Sequence, residues 1–301
     1  MTSLPSSPSI FCDYLDVTFS PGDAPFPVIN RLLLDAGFDC EPTRANGIAY
    51  RHDAAPSGVL LYLESRGTLK FSASGAVCAH LRDSGAWHDY LSELSSSPHR
   101  VTRLDAAMDI PMDGADLVDS MRRMHASGEV NLTRKAVPAT TLLGIRDDGR
   151  ETGTWYAGRL TRARFTARVY DKAFEALQKR GELMRPTARV EVTAAGGDSG
   201  ATLRDAAEPV ALFWHIASPA LLKAPEGVPV WSPGTELGWT SAPKEFSPAD
   251  LLKRRVESFA MLDALALVAD DLGPEGRNYL LGLIAKRLKS ADTTIPQEHV
   301  A

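Results

Sequence analysis

Alternation of apolar and polar residues organises the first two thirds of the chain. Residues 10–20 alternate well enough for a first strand, and Val28, Leu32, Leu33 and Ala36 recur at helical spacing over 26–37, with Gly37 as the stop. Residues 59–64 and 68–74 predict two strands around Ser65, Arg66 and Gly67, a hairpin signal. Helical patterns follow at 76–82 and 86–94. A strong strand runs from His99 to Ile110 and is ended by 111–114, after which Leu117, Met121 and Met124 mark one face of a helix over 116–127. A second hairpin pairs 154–157 with 164–170, turning near Gly158. Asp171 is placed to cap a helix running to Arg180, with Glu175 and Lys179 as an i,i+4 pair. A strand over 188–193 precedes the glycine-rich loop 194–200. Strands outnumber helices and hairpins dominate. The predicted class is therefore α+β, an antiparallel β-sheet with helices packed on it, plus a C-terminal helical segment.

Composition changes along the chain suggest its domains. Residues 1–9 form a leader rich in Ser and Pro that is expected to be disordered, and 10–220 a single body. Residues 221–246 lie in a proline-rich connection, 247–290 form a helical segment opened by Ser247 and Pro248, and 291–301 form a polar tail. No stretch reads as a membrane span or a signal peptide, so the expected location is the cytoplasm. Cys12, Cys40 and Cys78 are odd in number and form no CxxC pair, which argues against a disulfide framework or a zinc site. None of the seven histidines forms an HxH pair, and no phosphate-binding P-loop is present.

Charge changes the picture locally. The chain carries a net −5, yet residues 155–191 hold nine Lys or Arg against four Asp or Glu. That balance of +5 leaves −10 for the remainder. A basic segment in an acidic protein suits local contact with phosphates rather than general coating of nucleic acid.

Side chains two apart on a strand share a face. Arg103, Asp105 and Asp109 therefore face one way, opposite Leu104, Ala106, Met108 and Ile110. Arg164, Thr166, Arg168, Tyr170 and the strand-end Lys172 face away from Phe165, Ala167 and Val169. Arg189, Glu191 and Thr193 oppose Val190 and Val192. If the three strands share a sheet, Asp105, Asp109 and Glu191 meet beside a tyrosine and several arginines. Clustered carboxylates repel one another unless a cation lies between them, and oxygen-only ligands suit Mg²⁺ or Mn²⁺. A solvent-exposed polar face with cross-strand ion pairs accounts for each strand taken alone.

Three blocks carry a resemblance. They are the RxDxxxD strand Arg103 to Asp109, the pair Thr154 to Gly158 and Arg168-Val169-Tyr170-Asp171-Lys172, and the RxE strand Arg189 to Glu191. In order and spacing the chain resembles the replication initiation factor (Rep_trans-type) family, the rolling-circle initiators of plasmids and filamentous phages. Residues 13–19 and 69–75 add weaker support, and the resemblance covers roughly residues 10–220. The segment 159–162 departs from the serine-rich turn of the pattern.

The resemblance implies a nicking and joining enzyme whose tyrosine nucleophile corresponds to Tyr170. Asp105, Asp109 and Glu191 would hold Mg²⁺ or Mn²⁺, and Arg168, Lys172 and Arg189 would contact phosphate oxygens. The implied partner is origin DNA, single-stranded at the nick, with unwinding left to a host helicase. A phosphotyrosyl link keeps the bond energy needed for resealing, whereas hydrolysis would not. The placement of Tyr170 where a strand gives way to a helix predicts a side chain exposed at the sheet rim. The basic runs Lys253-Arg254-Arg255 and Lys286-Arg287-Leu288-Lys289 leave open duplex contact, a homodimer or a solvated face. Two other functions stay open: a metal-dependent nuclease using water, and a DNA-binding regulator without catalysis.

Overall fold

The computed structural model describes residues 9–20, 22–43, 47–56, 58–65, 68–130, 139–158, 164–196, 199–220 and 239–240, with isolated positions between 273 and 282. The chain divides into two compact units, Met1–Pro243 and Lys244–Ala301. The predicted helices over 247–290, the connection and both termini lie almost wholly outside the described residues. The first unit holds the candidate chemistry.

Its first strand is β1 (Ile10–Phe19), followed by helix α1 (Phe26–Asp35). Two hairpins come next, β2 (Asp39–Thr43) with β3 (Gly47–Arg51), and β4 (Leu60–Ser65) with β5 (Thr68–Ala73). Helices α2 (Gly75–Asp83) and α3 (Trp87–Ser95) lead to β6 (His99–Ile110) and α4 (Gly114–Ala126). The second half continues through β7 (Ala139–Ile145), β8 (Glu151–Ala157), β9 (Phe165–Asp171), α5 (Lys172–Arg180) and β10 (Ala188–Ala195), and ends with α6 (Leu203–Ala207) and α7 (Val210–Ala220). The ten strands of the described residues join one antiparallel sheet in the order β2-β3-β4-β5-β1-β6-β10-β9-β8-β7. The architecture is α+β, as the pattern predicts.

The apolar faces of the strands make the core. Leu104, Ala106, Met108 and Ile110 lie against Val190 and Val192, and Ala167 and Val169 continue the layer, all essentially inaccessible to solvent. Helix α4 seats Leu117, Val118 and Met121 on it, and α7 adds Leu212, Phe213, Ile216 and Ala217. Fully burying one such side chain stabilises by about 1.5–3 kcal/mol. A one-residue slip of β6 would send four of them to the polar face, so the register is strongly fixed.

Helix starts follow local chemistry. The Asp113 side chain accepts from the Ala115 amide at 2.9 Å, so α4 begins at Gly114, two residues before the predicted start. Gly114 has no room for a side chain: a Cβ there would lie 2.4 Å from the Asp171 Cα. Asp171 caps α5 as expected, accepting from the Phe174 amide at 3.0 Å, and Gly181 closes the helix at φ +64°.

Three strands and two helices have no counterpart in the sequence pattern. β2 contains Pro42 and is almost entirely exposed, and an edge strand can tolerate proline because one side of its backbone is unpaired. Its partner β3 has only five residues. β7, the other edge, leaves Leu142, Leu143 and Ile145 facing solvent. The short α6 rests on a capping box between Thr202 and Asp205. The apolar run beginning at Pro209 is the core helix α7. Among the described residues no helix is long and apolar enough to cross a membrane.

Candidate functional site

The register of three central strands builds the site. Glu191 on β10 pairs with Ala107 on β6, so Asp105 and Asp109 lie two residues to either side of it on the same face. Across the other edge of β10, Glu191 pairs with Arg168 and Arg189 pairs with Tyr170. Six of the seven predicted residues thus share one face of β6, β10 and β9. Lys172, the seventh, opens α5 immediately after β9.

Each carboxylate of this face meets a guanidinium. Arg103 holds Asp105 in a fork, Nε to Oδ1 at 3.0 Å and Nη2 to Oδ2 at 2.5 Å. Arg189 does the same to Asp109, Nε to Oδ1 at 2.5 Å and Nη2 to Oδ2 at 2.8 Å. Arg168 Nη2 donates to Glu191 Oε2 at 2.6 Å. Lys172 donates to Glu175 at 2.7 Å, and Lys179 donates to the other oxygen of the same carboxylate. Paired forks of this kind are strong and directional.

A fourth carboxylate enters through a bulge. The β1–β6 register shifts between Cys12 and Tyr14, leaving Asp13 as the extra residue. Asp13 Oδ1 then accepts from Arg189 Nη1 at 2.9 Å, so one arginine bridges Asp13 and Asp109. Asp13 belongs to the segment 13–19 but is not among the predicted site residues. Its signal is a parity break: Cys12 and Leu15, three apart, both face the core, which an unbroken strand cannot do.

Tyr170 is buried, with only 4% of its surface exposed, contrary to the expected rim exposure. The strand does end there, but Thr154 on β8 and Arg189 on β10 flank the ring. Its hydroxyl donates to Glu191 Oε2 at a long 3.4 Å. The Arg168 guanidinium carbon lies 5.1 Å and Lys172 Nζ 5.8 Å from the ring centroid. A cleft of about 790 Å³ reaches Tyr170, Asp13, Asp109, Arg168, Lys172 and Arg189, so the ring lines an opening although little of it is wet.

Burial dominates the proton affinities. It pushes the Tyr170 phenol well above its ordinary value, with the Glu191 charge adding to the rise and Arg189 and Arg168 opposing it. Burial also raises Glu191 to about 7; Arg168 opposes the rise and Asp105 adds to it. Asp13 is raised by burial against the pull of Arg189. Burial disfavours charged Arg189, yet its hydrogen bond to Asp109 and the nearby anions hold the guanidinium above its usual range. A carboxyl group near 7 can hold or release a proton around neutrality, the condition for acid–base work.

The chemistry of a hard divalent ion fits these oxygens, but their present orientation does not form a ready cage. Among the described residues no three His, Cys, Asp or Glu side chains are grouped to hold a metal ion. Asp105, Asp109 and Glu191 are turned to arginines instead. Glu191 Oε1 is a partial exception. It touches Arg168 Nη2 at 2.5 Å, yet it is buried and has no partner with hydrogen-bond geometry.

Contacts around the site define its supports. Asp171 is a structural hub, accepting from Thr152 Oγ1 at 2.7 Å and Arg146 Nε at 2.9 Å, while Arg146 also forks onto Asp113. Trp155 is in the core, and Phe165 packs edge-on to Trp239 and His215. Trp239 donates to Asp205 at 2.9 Å. His52 and His80 stack at 3.7 Å beside Phe38, and Cys12 and Cys78 are buried free thiols while Cys40 is exposed. The turn at 159–162 lies outside the described residues.

No family model and no curated protein matches the sequence. The fold is similar to a solved structure of a rolling-circle replication initiator protein from Geobacillus stearothermophilus, with a TM-score of 0.51 and 18% identity over 69% of this chain and 85% of that one. Alignments to the di-domain aromatase/cyclase BexL (15% identity, 69% of this chain, 95% of that one) and to the aspartate kinase regulatory subunit of Thermus flavus (9%, 67% and 96%) have TM-scores of 0.21 and 0.15 and carry no argument about the fold.

Proposed function

We propose that this chain nicks and rejoins one strand of origin DNA at the start of rolling-circle replication, with Tyr170 as the nucleophile. The observation that carries this reading is the Tyr170 hydroxyl directed at Glu191 inside an arginine-lined cleft. The likeness of the fold to an initiator supports it.

The reaction follows from the groups present. Tyr170 Oη attacks the scissile phosphorus, the bond to the 3′-oxygen breaks, and the phenol proton passes to Glu191. The released 3′-oxygen takes a proton from solvent, which leaves a primer end and a 5′-phosphotyrosyl link. Attack by a 3′-hydroxyl on that link reverses the step and reseals the strand. Arg168, Arg189 and Lys172 hold non-bridging oxygens as charge builds on the phosphorus. An Mg²⁺ or Mn²⁺ ion held by Glu191 with Asp109, or by Glu191 with Asp105, would add Lewis-acid charge to the phosphate. Unwinding falls to a separate helicase.

One observation favours a second reading. Burial of Tyr170 and its high proton affinity suit a nuclease in which water attacks and the phenol only packs. Supercoiled candidate origin DNA incubated with Mn²⁺ separates the readings. Covalent protein–DNA adduct at Tyr170 supports the proposal, and nicked product without adduct supports the water nuclease. Binding with neither leaves a non-catalytic regulator.

A further inference from the structure

The cations along the polar face of β6, β10 and β9, and Lys172 beside it, are already engaged with carboxylates of this chain. Arg168 is on Glu191, Arg103 is on Asp105, Arg189 bridges Asp109 and Asp13, and Lys172 is on Glu175. Arg189 has all three nitrogens engaged, and Arg168, whose Nε has no partner, holds Glu191 through Nη2 alone; a phosphate that takes either of these bonded edges must displace a carboxylate, and a divalent ion meets carboxylates that are already neutralised. Taking the arginine from Glu191 or from Asp105, both nearly inaccessible, leaves an uncompensated buried charge, which is strongly destabilising. Glu191 shows how acute this is: its side chain is fully inaccessible, while that of Arg168 is 34% exposed and can turn outward. Glu191 Oε1 already lacks a directed donor.

We propose that the arginines mask the carboxylates, so that single-stranded DNA and a divalent ion bind as an exchange pair. Phosphate takes the guanidinium, the ion takes the carboxylate it leaves, and neither charge is stranded. Neither ligand binds well alone. The proposal takes the identity of its two ligands from the nicking reading; the exchange itself follows from the ion pairs.

Linkage makes the test strict. Mn²⁺ affinity of the full chain is measured by electron paramagnetic resonance, alone and with an oligothymidylate. The affinity should rise with the oligonucleotide by roughly 5- to 150-fold, and oligonucleotide affinity should rise by the same factor with Mn²⁺. Arg168→Gln unmasks Glu191, so Mn²⁺ should bind more tightly without DNA and the coupling factor should shrink. An ion merely bridged by phosphate would leave that DNA-free affinity unchanged. If Arg168→Gln fails to fold, Arg189→Gln exposes Asp13 and Asp109 for the same measurement. Equal Mn²⁺ affinity with and without oligonucleotide overturns the proposal. So does an absence of oligonucleotide binding in either condition, or unchanged DNA-free affinity in the folded variant. An adduct at Tyr170 without coupling would remove the exchange and leave the nicking reading in place; coupling without adduct would do the reverse.

Discussion

Tyr170→Phe removes one oxygen and keeps the ring. The hydroxyl makes one hydrogen bond, 3.4 Å to Glu191 Oε2, well beyond the usual 2.7–2.8 Å for such bonds. A normal hydrogen bond contributes about 1 kcal/mol net, so this one contributes less. Glu191 keeps its contact with Arg168, and the ring keeps its place beside that guanidinium. At about 2–4 °C of melting temperature per kcal/mol for a domain of this size, the loss should stay under ~4 °C. The chemical effect is of another order, because no atom remains to form the phosphotyrosyl bond. The assay follows a 3′-labelled oligonucleotide, whose downstream fragment carries the adduct, on a denaturing gel after incubation with Mn²⁺, beside a thermal melt of the same sample. Loss of all adduct with a nearly unchanged melt is the expected result. Adduct at the wild-type rate would refute the assignment, and a drop of more than ~8 °C would show that the hydroxyl is chiefly structural.

Further outcomes follow from the same geometry. Glu191 has a folded pKa near 7 against an ordinary 4.5, so the folded state binds the extra proton between these values. Wild-type stability should therefore fall as pH rises from about 5 to 8, and Glu191→Gln should flatten that slope in denaturant titrations at several pH values. Arg146→Met strips the buried Asp171 of its guanidinium while leaving Thr152 and the Phe174 amide; a loss of about 3 kcal/mol is expected from urea unfolding. Gly114→Ala drives a Cβ onto the Asp171 backbone and should cost more than ~2 kcal/mol, with an unaltered melt counting against the close approach.

How legible the molecule is from its sequence depends on burial. β1, β6, β9 and β10 each turn an apolar face to the core, so alternation reveals them and assigns Asp105, Asp109, Arg168, Tyr170, Arg189 and Glu191 to the opposite, polar face, part of which is buried as well. β2 and β7 bury little and carry no such signal, although each completes an edge of the sheet. Alternation gives the face but not the register. Only the ladder shows Glu191 set between Asp105 and Asp109, or Arg189 beside both Asp109 and Tyr170. Cross-strand ion pairs are among the readings the alternation leaves open, but a parity pattern cannot say which neighbour a long side chain will choose: Arg103 takes Asp105 on its own strand, Arg189 takes Asp109 on the next. Burial of Tyr170 depends on β8 and β10 closing around it, and Asp13 depends on a bulge that strict alternation conceals.

That bulge also sets when the site can exist. β2 to β5 are hairpin neighbours close in sequence, and so are β7, β8 and β9, so those ladders close over short loops. β1 joins the two halves of the sheet, pairing with β5 on one side and β6 on the other. The Asp13–Arg189 contact spans 176 residues, and closure entropy weighs against so distant a pair until the intervening sheet is in place. A chain arrested before β10 emerges during synthesis has Asp13, Asp105 and Asp109 but neither Arg189 nor Glu191. Completion of the polar face of β6, β10 and β9 is therefore a late event in the assembly of the sheet, and on the proposed function a half-made chain would lack Arg189 and Glu191.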